Sequence, residues 1–135
     1  MSERNRTASC RCGQLRATTT GEPVRVSVCH CLDCKKRSGS SFAVQARWPA
    51  DRVSIEGRSK SWAHSGDSGN RITFHFCPDC GSDVHYSIDG KFADLVAIPL
   101  GAFADPYFAS PRFSVWEKRK HDWVEILGEV EHSPD

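Results

Sequence analysis

Val24-Arg25-Val26-Ser27-Val28-Cys29-His30-Cys31-Leu32-Asp33-Cys34 runs from a strand pattern straight into three thiols. Residues 24–28 alternate with period two and place three β-branched valines on one face, the mark of a half-buried β-strand. Cys29, Cys31 and Cys34 then fall within six residues, a spacing that suits the ligands of one metal ion better than a set of disulfides. At most a helical turn is predicted beyond them, over Asp33 to Ser38.

Outward from this stretch the period stays near two. Residues 14–20, 42–48, 53–56, 60–63, 71–76, 84–88 and 92–98 all read as short strands. Asp89-Gly90, between the last two, is a two-residue hairpin signal. Residues 121–127, with Trp123, Val124 and Ile126, read as a closing strand. No long window keeps the 3.6-residue period of an amphipathic helix. The expected fold is mainly β with little helix, and the 135 residues, 1–135, suffice for a single domain with one modest core.

Lys plus Arg is 18 and Asp plus Glu is 17, a formal net charge of +1. That balance lacks the cationic excess of a module held on nucleic acid by a basic face, so nucleic acid is not an expected partner. The short run Lys118-Arg119-Lys120 reads as a solvated turn. No stretch approaches the ~20 apolar residues that span a bilayer. The polar start, Met1 to Thr7, has no apolar signal-peptide core. The expected setting is the cytoplasm, without a membrane.

Seven cysteines, Cys10, Cys12, Cys29, Cys31, Cys34, Cys77 and Cys80, are each separated from another by only one or two intervening residues. An odd number of clustered thiols in a reducing compartment points to metal before disulfides. A structural zinc takes four ligands, whereas a catalytic zinc takes three and keeps a position open. Seven divides accordingly. Cys10-Arg11-Cys12-Gly13 and Cys77-Pro78-Asp79-Cys80-Gly81 combine as a closed four-thiolate site, with Gly81 supplying the positive φ that such a knuckle needs. Cys29, Cys31 and Cys34 form an open three-thiolate site. A rival division completes the triple with His30, His75 or His85.

Three thiolates make zinc a weak Lewis acid, which argues against hydrolysis and for a fourth soft ligand, an incoming thiol held as thiolate. The expected activity is chemistry on a small thiol. The alternative is a non-catalytic, zinc-stabilised binding module for protein or nucleic acid. A redox switch is a third reading, against which stands the masking of thiolates by zinc. His30, between two proposed ligands, is a candidate acid or base, or else a knuckle residue fixed by hydrogen bonds. Phe42 is expected in the core, and Trp48 either in the core or in a cleft wall. Ser82 is expected to order the turn after Cys80, and Trp116 and Trp123 to pack on the sheet.

Residues 9–15, residues 29–42 and the run Phe76-Cys77-Pro78-Asp79-Cys80-Gly81-Ser82 together resemble the CENP-V/GFA domain family, named after the glutathione-dependent formaldehyde-activating enzyme. The tail 111–126, with Val115-Trp116-Glu117-Lys118 and Trp123-Val124-Glu125-Ile126, is similar to that family's C-terminal strand pair. The resemblance implies a β-tent-like fold of antiparallel sheets stapled by two zinc ions. It implies a structural zinc at Cys10, Cys12, Cys77 and Cys80, and a catalytic zinc at Cys29, Cys31 and Cys34. It further implies a carbon–sulfur lyase-type enzyme that joins glutathione and formaldehyde as S-hydroxymethylglutathione. Lys36 and Arg37 are then available to the carboxylates of such a ligand, although solvent exposure is the expectation for both.

Overall fold

Strand β3, Arg25–Cys29, forms as its alternation predicts, and it lies well inside a large sheet. The structure is a computed structural model that describes residues 3–108 and 110–135. Residues 1, 2 and 109, which the single-domain expectation takes in, lie outside the described residues. Eight strands run in the order β11-β10-β3-β4-β9-β8-β7-β6. They are β4 (Ala43–Pro49), β6 (Lys60–Ser65), β7 (Arg71–Phe76), β8 (Asp83–Ile88), β9 (Leu95–Pro99), β10 (Phe113–Val115) and β11 (Glu131–His132), together with β3. A second, antiparallel sheet holds β1 (Asn5–Ser9), β2 (Arg16–Thr20) and β5 (Val53–Glu56) in the order β1-β2-β5. Among the described residues there is one α-helix, α1, Leu32–Ser38, as the mainly β reading requires.

Alternation along β3 and β4 sorts their side chains. Val26 and Ala46 pair across the strands and enter a core with Leu15, Trp48, Val84 and Ile98. Cys10 and Cys77 are buried in that same core. Trp48 is fully buried, donates its indole N–H to the Gly21 carbonyl at 3.0 Å and packs on Phe103 and Phe108, which settles its place in the core. Its replacement by alanine removes that packing and leaves a cavity. We expect Trp48→Ala to lower stability by about 3–5 kcal/mol, read as a shift in the denaturant midpoint at unchanged slope.

Four expectations need correction. The sheets are not purely antiparallel, because β10 pairs in parallel with both β3 and β11. Residues 121–127 form no strand: a turn from the His121 carbonyl to the Val124 amide interrupts them, and Trp123 is largely exposed, stacked on His121. The partner of β10 in the tail is instead Glu131–His132. The Asp89-Gly90 hairpin is longer than two residues, since β9 begins only at Leu95. Phe92 leaves the sheet there because its ring lies against the guanidinium groups of Arg25 and Arg47. Strand β1 was not expected; its polar run Asn5-Arg6-Thr7 hides a pairing with β2.

Candidate metal centres

The four-cysteine cluster joins the two sheets. Cys10 follows β1, Cys12 lies in the turn before β2, and Cys77 and Cys80 follow β7. Ligand atoms of all four lie within 4.8 Å of one another. Cys12 Sγ is 3.6 Å from Cys10 Sγ and 3.7 Å from Cys77 Sγ. Those separations are far too long for a disulfide at ~2.05 Å. They match the edge of about 3.8 Å that a tetrahedron with Zn–S bonds of ~2.3 Å requires. Hydrogen bonds to sulfur support the same arrangement: the Leu15 amide donates to Cys10, the Asp79 amide and Gln14 Nε2 to Cys77. Gly13 and Gly81 take φ of 85° and 78°, which turn the chain after Cys12 and Cys80. Ser82 orders the second turn through its carbonyl, which accepts from the Cys77 amide, and its hydroxyl, which accepts from the Arg11 amide.

The three-cysteine cluster stands where β3 ends and α1 begins. Cys29 is the last residue of β3, and Cys31 is the N-cap of α1, its sulfur accepting the Cys34 amide at 3.3 Å. The three ligand atoms lie within 4.8 Å of one another, and among the described residues no His, Asp or Glu completes a set of four. His30 is fully buried, hydrogen-bonded through Nε2 to the Ser114 hydroxyl at 2.9 Å, and does not line the cavity described below. Burial holds its pKa below the ordinary value. His75 and His85 stack on each other with centroids 4.4 Å apart. Both donor sets, thiolates at mutual contact distance with amides turned toward sulfur, fit zinc. Hydrogen bonds from Cys29 and Cys31, with the Arg37 guanidinium nearby, pull the Cys34 thiol down to about 3, while Cys29 is pushed up.

A cavity of about 290 Å³ opens beside the triple. One wall is polar: Arg25 and Ser27 from β3, Gln45 and Arg47 from β4. Farther along the same sheet the lining turns aromatic, with Phe74 and Tyr86. Burial pushes the Tyr86 hydroxyl up to about 12. Arg37 is not the solvent-exposed side chain expected. It is 10% exposed, pairs with Asp83 at 3.5 Å and covers the rings of Phe74 and Tyr86. Burial opposes its charge, but Tyr86, Cys34 and Asp83 outweigh that and hold its pKa above the ordinary value. Lys36 is exposed as expected. Trp116 lines the cavity rather than packing in the core, and its φ of 58° is unusual for a bulky residue. The polar wall was not recognised in the sequence. Its signal was the second face of the β3 alternation, Arg25 and Ser27, which leads to Cys29.

Burial, with His75 beside it, draws His85 down to about 4. Its neutral form therefore favours the folded state. That contribution is complete above the ordinary value of about 6.5 and is lost as pH falls toward 4. Between pH 7 and 5 the wild type is expected to lose about 1 kcal/mol more than His85→Gln, allowing for the solvent the ring retains. Denaturant titrations of zinc-loaded protein at both pH values check this, and equal losses would clear His85 of the effect.

Two thiol clusters on a mainly β scaffold, one beside a cavity, define a β protein whose cysteines could hold metal ions. Residues 5–119 match the family described as Glutathione-dependent formaldehyde-activating enzyme, and the chain belongs to that family. No curated protein matches the chain. Among solved structures, the crystal structure of a Rhodobacter sphaeroides protein, a structural genomics target, is similar in fold. It has a TM-score of 0.54 at 16% identity, over 71% of this chain and 85% of that one. No helix among the described residues is long and apolar enough to cross a membrane.

Proposed function

We propose that the chain is a zinc-dependent carbon–sulfur lyase-type enzyme that forms and cleaves the S-hydroxymethyl adduct of a small thiol, such as glutathione, and an aldehyde, such as formaldehyde. The observation that carries this is the cavity, which opens onto three cysteine sulfurs joined by no fourth His, Asp or Glu ligand among the described residues. Family membership supports the same substrates. Cys29, Cys31 and Cys34 would hold the catalytic zinc, and Cys10, Cys12, Cys77 and Cys80 the structural one. A zinc ion on the triple would supply a position that keeps a thiol deprotonated at neutral pH.

The chain's own residues do the rest. Phe74 and Tyr86 wall the cavity and exclude water from it. In the synthetic direction the thiolate sulfur bonds to the aldehyde carbon, the carbonyl π pair moves to oxygen, and that oxygen takes a proton. Tyr86, kept protonated by burial, donates a hydrogen bond to the developing alkoxide. Arg37 covers the aromatic wall and faces Cys34, holding negative charge on that sulfur. His30 acts from behind the loop, where its bond to Ser114 fixes the backbone between Cys29 and Cys31. The cytoplasm, where seven unbridged thiols persist, is the proposed setting. A purely structural module would leave the cavity unused.

Exchange NMR of glutathione and formaldehyde with zinc-loaded protein tests the reading. Interconversion of thiol and adduct is expected to exceed the uncatalysed rate by at least about a hundredfold, the scale of one well-placed electrostatic catalyst. No acceleration would remove the substrate claim.

A further inference from the structure

Arg25, Ser27 and Cys29 alternate along β3 and share one face, while Val26 and Val28 turn the other way. Across the strand pair, Arg47 lies opposite Arg25 and Gln45 opposite Ser27. All four polar side chains line the cavity. Three are buried: Ser27 is 1% exposed, Gln45 3% and Arg47 6%. Ser27 Oγ accepts from Gln45 Nε2 at 2.9 Å and from Arg47 Nη1 at 3.3 Å. That bond draws the Arg47 guanidinium toward the cysteine end of the cavity.

The polar inventory does not balance. Two arginines face each other directly across a strand pair, an arrangement that repels. Neither is within 4.0 Å of a carboxylate among the described residues; Glu131 touches Arg25 only through its longer-range field. Their near neighbours are rings: Phe113 and Phe92 for Arg25, Phe92 for Arg47. Asp33, Asp67 and Asp135 border the same cavity, but Asp33 is engaged by His64 and Asp135 by Lys118. Gln45 Oε1 and Arg25 Nε are buried and have no partner. A buried charge without a counter-ion and a buried acceptor without a donor both destabilise a fold. They persist together where a ligand completes them.

We infer that Arg25, Arg47, Ser27 and Gln45 form a carboxylate subsite that sets specificity, selecting the thiol substrate by a carboxylate it carries about 7 Å from its sulfur. This rests on the proposed thiol chemistry at Cys29, Cys31 and Cys34. A guanidinium presents paired N–H donors that match the two oxygens of a carboxylate. Gln45 Oε1 accepts the amide N–H that precedes such a carboxylate. At ~3.3 Å per residue Ser27 stands about 7 Å from Cys29, and a cysteinylglycine unit spans about that from sulfur to terminal carboxylate.

The test is calorimetric binding of N-acetylcysteinylglycine and of its C-terminal amide to the zinc-loaded protein. The acid is expected to bind about tenfold to a hundredfold more tightly than the amide. In Arg47→Met that ratio is expected to fall to near one at unchanged zinc content, with a melting temperature equal to or above the wild type, since an unpaired buried charge has gone. Arg25→Met is expected to reduce the ratio as well, and the wild-type comparison needs no variant at all. Equal binding of acid and amide, or a ratio that survives Arg47→Met, would overturn the subsite while leaving the thiol chemistry standing. Failure of both compounds to bind would overturn the thiol reading and the subsite with it. Arg47-dependent binding of glyoxylate, with no preference between the two thiols, would move the carboxylate to the carbonyl partner and overturn its assignment to the thiol.

Discussion

Serine in place of Cys77 is expected to leave the chain largely unfolded at 25 °C. Cys77 is fully buried in the main core, and its sulfur is in contact with Cys12 and hydrogen-bonded by Gln14. A structural zinc contributes ~10–16 kcal/mol of apparent binding energy, against a net stability of ~5–15 kcal/mol for an ordinary domain. The hydroxyl is a poor ligand for zinc and a poor filler of an apolar site. With the cluster open, the three-stranded sheet and the eight-stranded sheet lose the joint between them. Far-UV circular dichroism and zinc analysis of the purified variant check this, as does chelation of the wild type. A cooperative melt of metal-free protein at the temperature of the loaded protein would refute the structural role.

Alanine in place of Cys31 is expected to give the opposite pattern: a folded protein with one zinc instead of two and no adduct formation above the uncatalysed rate. Cys31 caps α1, two residues beyond the end of β3, and lines the cavity, so its loss opens no gap between the sheets. What the fold loses is the N-cap of α1, where the sulfur accepts the Cys34 amide, at a cost of about 1 kcal/mol. The catalytic loss is at least about a hundredfold, because the remaining pair no longer forms the thiolate site. Zinc content, melting temperature and exchange NMR on one sample separate the two effects. Retention of two zinc ions with full activity would exclude Cys31 from the site.

Much of this was legible in the sequence, for physical reasons. Period-two alternation is local, so β5 and β7 fall where Val53 to Glu56 and Arg71 to Phe76 place them. Thiol spacing is equally local, and the seven cysteines gather as four and three. What escaped depends on contacts distant in the chain. β1 is polar and becomes a strand only by pairing with β2. β10 is three residues long and is defined by its parallel neighbours; the family resemblance of the tail places a strand there, and its own pattern does not. Phe92 looks like the first residue of a strand, yet its ring is drawn to two arginines on other strands. Arg37 reads as a solvated helix residue until Asp83, Phe74 and Tyr86 close over it.

The cluster that joins the sheets also bears on how quickly the molecule matures. Its two halves lie on either side of residues 13–76, so a chain without metal must find that long-range contact by diffusion of a large loop. An ion that captures all four sulfurs early fixes the loop before most β pairings exist, and such non-local pairings are slow. Refolding half-time, and not melting temperature alone, should therefore follow the concentration of free zinc.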